Sequence, residues 1–185
     1  MEDQLCQKCP LKSFREENDY HIVWGAGNPN ADILIIGEAP GENEAKKGVP
    51  FIGKSGRFLR SKLSLYLNLE SDAYITNTVL CRPPDNRRPA QDELECCFPH
   101  VLSVFHIVSP KLIITAGKVA SQWLSDLTNT PFDIYEITAA QIEAKIFAWL
   151  PLYHPSYVMR SREQTQRFED VLKSYRKLFK GVSDL

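Results

Sequence analysis

Four short, largely continuous apolar runs punctuate the chain: Ile33-Leu34-Ile35-Ile36 after Asp32, Ala73–Val79, Leu112–Ala116 and Ile146–Tyr153. Each is too short for a helix and rich in β-branched or aromatic residues, as central parallel strands covered on both faces are. Between them the apolar spacing changes to a helical one. Leu59, Leu63, Tyr66 and Leu67 follow Ser55-Gly56 at i, i+4, i+7 and i+8. Leu94, Phe98, Val101, Leu102 and Phe105 predict a helix over 90–108. Pro99 should kink it, because the ring removes a backbone donor and clashes with the Glu95 carbonyl. Gly117 turns into a helix over 118–125, and Phe168, Val171, Leu172, Tyr175 and Phe179 share one face of a helix over 162–180.

The remaining stretches carry no helical or strand period. Residues 1–14 read as a surface segment and 15–31 as loop, with turn formers Gly25, Gly27, Asn28-Pro29 and Asn30. Residues 82–89 (RPPDNRRP) hold three prolines and predict a rigid basic loop. Residues 126–145 are ambiguous. Strands alternating with helices predict an α/β fold, one parallel sheet with helices on both faces, in a single domain over 1–185. Sites in such sheets lie at the carboxyl ends of the strands. Here those places are 37–53, 77–88, 117–118 and 154–160.

The first of them, GEAPGENEAKKGVPFIG over Gly37–Gly53, is unlike core: four glycines, two prolines, three glutamates and one phenylalanine. A tight loop lined by carboxylates and a flat ring is the make-up of a site. Phe51 reads either as a core plug or as a ring stacked on a flat heterocycle. Asn77 ends a strand, where asparagine is disfavoured. It is either a turn former or an amide that reads the edge of a pyrimidine with one donor and one acceptor. His154, in His154-Pro155-Ser156, is placed to donate a hydrogen bond to an oxygen that gains negative charge. Tyr157-Val158-Met159-Arg160 puts apolar bulk beside a cation, as wedges that pry bases from duplexes do. Glu38 and Glu44 are carboxylates able to orient or deprotonate water; Glu42 reads as solvated.

Composition narrows the classes. A chain of 185 residues with 43% hydrophobic and 24% charged residues is that of an ordinary globular protein. No apolar run approaches the ~20 residues of a membrane helix, and the start is acidic and polar, so a cytoplasmic protein without membrane association is expected. The net charge of −1 does not announce a nucleic-acid binder. Its distribution does more: Lys46, Lys47, Lys54, Arg57, Arg60 and Lys62 are unbroken by any acid, and Arg82, Arg87 and Arg88 face only Asp85. Cations gathered on one face would bind phosphates; otherwise they are solvated surface.

Five cysteines stand at 6, 9, 81, 96 and 97. In a cytosolic chain, Cys6-x2-Cys9 and Cys81-x15-Cys97 read as four thiolates for zinc or an iron–sulfur cluster, or as incidental thiols. Cys96 should point to another side of its helix and stay a free thiol.

Together these residues resemble the family 4 uracil-DNA glycosylases, which carry an iron–sulfur cluster. The matching stretches are Cys6-x-x-Cys9-Pro10-Leu11, Gly25-x-Gly27-Asn28-Pro29, Gly37-Glu38-Ala39-Pro40-Gly41, Pro50-Phe51-Ile52-Gly53, Tyr74-Ile75-Thr76-Asn77, Cys81-Arg82-Pro83-Pro84-x-Asn86-Arg87-x-Pro89, Pro110-Lys111 with Gly117, and His154-Pro155-Ser156-Tyr157 with Arg160.

The resemblance implies a three-layer α/β/α sandwich around a four-stranded parallel sheet. It implies a 4Fe–4S cluster on Cys6, Cys9, Cys81 and Cys97 that ties segment 1–14 to the domain, with zinc as the alternative. The implied activity is monofunctional hydrolysis of the N-glycosidic bond of uracil in single- or double-stranded DNA during base-excision repair, by a monomer. The alternatives are another modified base, or a module that binds damaged DNA without cleaving it. Phe51 would stack on uracil beside Gly37 and Ala39, Asn77 would bond its edge, and His154 would stabilise the departing anion. Ala39 stands where better-known relatives have an aspartate, so Glu38 is the first candidate for holding water, with Glu44 and Asn86 behind it. Lys54, Ser55, Arg82, Arg87, Tyr157 and Arg160 are the expected DNA contacts. The chain departs from the family at Thr78-Val79-Leu80, at Trp24 and Ala26, and in the acidic stretch 126–150. Without a histidine-bearing insertion in 82–89, no covalent DNA adduct is expected.

Overall fold

The computed structural model describes residues 4–182; residues 1–3 of the expected N-terminal segment and the last three of the chain lie outside the described residues. The strands are β1 (Ala26–Gly27), β2 (Ile33–Gly37), β3 (Ala73–Asn77), β4 (Leu112–Ala116), β5 (Thr138–Ile142) and β6 (Lys145–Leu152), in sheet order β1-β3-β2-β4-β6-β5. β3, β2, β4 and β6 are parallel neighbours, so the four apolar runs form the centre of the sheet. Two antiparallel edge strands, β1 on β3 and β5 on β6, extend the expected four to six.

The helices are α1 (Gln4–Lys8), α2 (Leu11–Glu17), α3 (Glu42–Lys47), α4 (Lys54–Leu63), α5 (Leu69–Asp72), α6 (Gln91–Val108), α7 (Lys118–Thr128), α8 (Pro155–Val158), α9 (Arg162–Ser174) and α10 (Arg176–Gly181). α6 runs on through Pro99 as one helix. The expected helix over 162–180 is two, broken at Tyr175 (φ −89°, ψ 6°), whose hydroxyl donates to the Tyr135 carbonyl at 3.0 Å. The segment around Cys6 and Cys9 is helical although it shows no period, because α1 and α2 are each under two full turns.

Successive strand residues face opposite ways and separate the core into two layers. Ile33, Ile35, Ile75, Leu112, Ile114, Leu150 and Leu152 pack with Leu59 and Leu63 of α4 and Phe168 and Leu172 of α9. Leu34, Ile36, Ile113, Phe147 and Trp149 pack with Phe105 and Val108 of α6 and Ala120 and Leu124 of α7. This is the three-layer sandwich. One buried polar chain threads the second layer: Trp149 Nε1 donates to Thr115 Oγ1 (2.9 Å), which is paired with Ser121 Oγ (2.8 Å), and Ser121 donates to the Gly117 carbonyl (3.0 Å). It anchors the turn that leaves β4, one side of the site.

Candidate active site

The carboxyl ends of β3, β2, β4 and β6 lie side by side and present Asn77, Gly37, Gly117 and His154 in that order. Neighbouring strands are about 4.8 Å apart, so the outer two are about 14 Å apart, room for a planar base between two side chains.

Gly37 pairs with Asn77 across the β2–β3 ladder. A Cβ at Gly37 would come to 2.4 Å of Asn77 Oδ1 and 2.5 Å of Phe51 Cζ. The amide and the ring therefore converge over one bare Cα. Asn77 is only 3% exposed, yet its side chain makes no hydrogen bond among the described residues. Its amide oxygen and nitrogen are therefore left available to a ligand with matching groups.

Phe51 is held in an uncommon conformation, φ +58°. Its neighbours hold it there: Arg60 Nη2 donates to the Pro50 carbonyl (3.1 Å) and Arg57 Nη1 to the Ile52 carbonyl (2.7 Å). The buried Glu44, on α3, accepts from the Gly53 amide at 2.6 Å, closing the loop that carries Phe51. Glu44, expected as a carboxylate for water, fastens the loop, a role the chain did not suggest. The opening stretch is accordingly not all loop, since α3 lies within it.

Glu38 follows β2 directly. Its carbonyl accepts from Thr78 Oγ1 (2.7 Å), which ties the backbone here to the end of β3. Burial pushes its carboxyl above the usual carboxylate range, against the pull of Arg88. Ala39 is half-buried and offers no polar side chain. Glu42 is paired with Lys46 on the surface, as expected of a solvated residue.

His154 caps the short helix α8. Its Nδ1 lies 3.2 Å from the Ser156 amide and 2.7 Å from Ser156 Oγ. A backbone amide can only donate, so Nδ1 is the acceptor and Nε2 carries the proton of the neutral ring. Burial lowers the His154 pKa and favours that neutral form. Gly117 (φ +109°) faces the ring closely: a Cβ there would stand 3.0 Å from His154 Cβ.

The basic loop is more structural than its charge suggests. Arg82 is largely covered and donates to Asn86 Oδ1 (2.8 Å) and the Tyr20 hydroxyl (2.7 Å), with Glu42 3.9 Å away. Arg87 grips the buried Glu93 with both terminal nitrogens, at 2.9 and 2.6 Å. These two expected phosphate contacts, and Asn86, are therefore occupied within the fold. Arg88 is exposed beside them and lies near Glu38. Lys54 at the start of α4 and Lys118 at the start of α7 are exposed, and Ser55 is half-buried. Arg88 was named only within the basic run 82–88, and Lys118 was not singled out from the chain; the only signal for Lys118 is its place just after a strand. Tyr157, 38% exposed, stacks on Tyr153 with ring centroids 4.7 Å apart, and the Arg160 guanidinium covers it at 5.9 Å.

Away from the strand ends, Cys6, Cys9, Cys81, Cys96 and Cys97 all line one small cavity between the N-terminal segment and α6. The expectation that Cys96 points elsewhere is corrected: both consecutive cysteines of α6 face this cavity. Burial pushes the Cys97 thiol up to about 12 and Cys9 up to about 11. His100 Nε2 lies 3.3 Å from Cys6 Sγ, and the buried Arg15 donates to Cys81 Sγ at 4.0 Å. Among the described residues, no three His, Cys, Asp or Glu side chains form a group that could hold a single metal ion.

A family model described as the uracil DNA glycosylase superfamily matches residues 24–179. The chain is 34% identical to a type-4 uracil-DNA glycosylase of Sulfurisphaera tokodaii, over 94% of this chain and 80% of that one. It is 36% identical to a type-4 uracil-DNA glycosylase of Saccharolobus solfataricus, over 84% of this chain and 73% of the relative. A third relative so named, from Thermotoga maritima, is 33% identical over 91% and 87% of the two chains. With four parallel strand ends, a bare Cα between an amide and a ring, and these relatives, the chain belongs to the uracil DNA glycosylase superfamily and, within it, to the type-4 enzymes.

Proposed function

We propose that the protein is a uracil-DNA glycosylase that hydrolyses the N-glycosidic bond of deoxyuridine and leaves an abasic site. The observation that carries this reading is the buried, unpartnered Asn77 amide meeting the Phe51 ring over Gly37. Uracil offers a flat face to the ring and, on one edge, an N–H and a carbonyl that match the amide's acceptor and donor. Cytosine presents a reversed donor and acceptor at that edge and leaves the amide mismatched.

His154 and Glu38 take the chemical roles. As the glycosidic bond lengthens, uracil departs with negative charge spread onto its carbonyl oxygens. The Nε2–H of a neutral His154 donates to the oxygen where that charge collects, and the bond strengthens as the charge grows. The Ser156 contacts to Nδ1 fix the tautomer and the ring in advance. Glu38, directly after β2, takes the role of holding the attacking water, and its raised pKa makes the ionised carboxylate a stronger base. Lys54, Arg88, Lys118 and Arg160 serve the phosphates, and the stacked Tyr157 the neighbouring bases.

Thiols from two distant segments of the chain line the cysteine cavity, a donor set that suits an iron–sulfur cluster. Cys6, Cys9, Cys81 and Cys97 would hold a 4Fe–4S cluster, with Arg15 and His100 as donors to the sulfurs. When bound, the cluster supplies a brace between the N-terminal segment, the end of β3 and α6, and a one-electron couple.

The test is excision from oligonucleotides carrying uracil, other deaminated or modified bases, or none, read as strand cleavage after alkali. Uracil should be removed and cytosine left. An oligonucleotide left intact by folded protein, beside an active control, overturns the reading; excision confined to another base moves the specificity elsewhere.

A further inference from the structure

The cysteine cavity holds one thiol more than a four-thiolate cluster uses. Cys96 lines it together with the four ligands of the reading above, on which this inference rests. The neighbours of the five thiols are not equivalent. Cys97 interacts electrostatically with Cys81, Cys9 and Cys6, so it sits amid the other three proposed ligands. The strongest thiol neighbour of Cys9 is Cys96, with Cys81 behind it. Cys96 is therefore the neighbour of Cys9, within reach of its place.

The two thiols differ in what holds them. Cys9 lies on the turn between the five-residue α1 and the seven-residue α2, fastened by the Cys9 amide to Cys6 carbonyl bond (3.3 Å) and the Lys12 amide to Cys9 carbonyl bond (3.0 Å). Cys96 lies within the 18-residue α6, packed on the sheet through Val101 and Phe105. Short surface segments open locally at far lower cost than a long helix on the core. When the turn opens, Cys9 leaves and Cys96 stays.

We propose that Cys96 is a reserve ligand that takes the place of Cys9 on the cluster. In the exchange one iron–sulfur bond to Cys9 breaks and one to Cys96 forms. The proton of the Cys96 thiol passes to the departing Cys9 thiolate, and no electron is gained or lost. The cluster thus keeps four thiolates when Cys9 alone is withdrawn and Cys6 stays in place.

The full chain and its Cys9→Ala, Cys96→Ala, Cys97→Ala and Cys9→Ala/Cys96→Ala variants are reconstituted without oxygen and analysed for iron and sulfide. Alanine is used because a serine oxygen can itself bind iron. Wild type, Cys9→Ala and Cys96→Ala should each hold about four irons; the double variant and Cys97→Ala should hold less than a tenth of that. Iodoacetamide followed by mass spectrometry gives a second reading. Cys96 should be alkylated in the loaded wild type and protected in loaded Cys9→Ala, whose reduced cluster should also give a shifted electron paramagnetic resonance spectrum. Cys9→Ala as empty as the double variant, with a native melting curve, overturns the proposal. So does Cys96 alkylated equally in both loaded proteins. A wild type that takes up no iron and sulfide overturns the cluster reading and the proposal with it.

Discussion

Replacing Asn77 with alanine separates recognition from folding. In the free protein the amide is buried and makes no hydrogen bond among the described residues, so the fold loses no bond with it. Stability should change by no more than about 1 kcal/mol. On the substrate side two hydrogen bonds vanish, and two polar groups of the flipped uracil are left buried without partners. At about 1–2 kcal/mol each this costs about 2–4 kcal/mol of transition-state stabilisation, or a fall of about 30- to 1000-fold in kcat/KM at 1.36 kcal/mol per decade. The assay is single-turnover excision from a uracil oligonucleotide, with thermal melting of the same preparations. Excision within threefold of wild type refutes the placement of Asn77 against the base. A loss of activity that merely tracks a lower Tm refutes the claim that the amide is idle in the free protein.

Gly37→Ala should abolish excision while the sheet survives, because the added methyl would stand 2.5 Å from the Phe51 ring and 2.4 Å from the Asn77 oxygen; unchanged activity would place the base elsewhere. Glu38→Gln should lower kcat by orders of magnitude yet raise Tm at neutral pH. The fold holds this carboxyl above its ordinary pKa, so its ionised form above that range is a cost that glutamine lacks. Retained kcat would remove Glu38 from the role of water holder. His154 has the opposite sign. Its pKa lies below the ordinary 6.5, so the unfolded chain takes a proton that the fold resists, and His154 costs stability as pH falls through the 6.5 region. His154→Gln should therefore gain Tm relative to wild type between about pH 7 and about pH 5, with excision lost at both. A pH-independent gap in Tm would contradict the burial argument.

The chain by itself determined the sheet centre and the covering helices. Ile33–Ile36 and Leu112–Ala116 are apolar throughout because both faces of a central strand are buried, and Leu59 and Leu63 repeat at helical spacing because one face of α4 meets the core. Strand ends then located Gly37, Phe51, Asn77 and His154, since in a parallel sheet the order of elements places all carboxyl ends on one side. Local pattern could not supply what depends on a partner. β1 and β5 exist because a neighbouring edge accepts their hydrogen bonds, and Thr138–Ile142 alone has no decisive period. Glu44 reads in the chain as a carboxylate for water, and Arg82 and Arg87 as contacts for DNA. Only folding brings Glu44 to the Gly53 amide, Arg82 to Tyr20 and Arg87 to Glu93. Cys96 is the clearest case. Helical spacing separates it from Cys97, yet both adjacent positions of α6 line the one cavity beneath the N-terminal segment. Periodicity assigns a side chain to one face of its own element; what that face meets is a long-range fact that only the packed molecule decides.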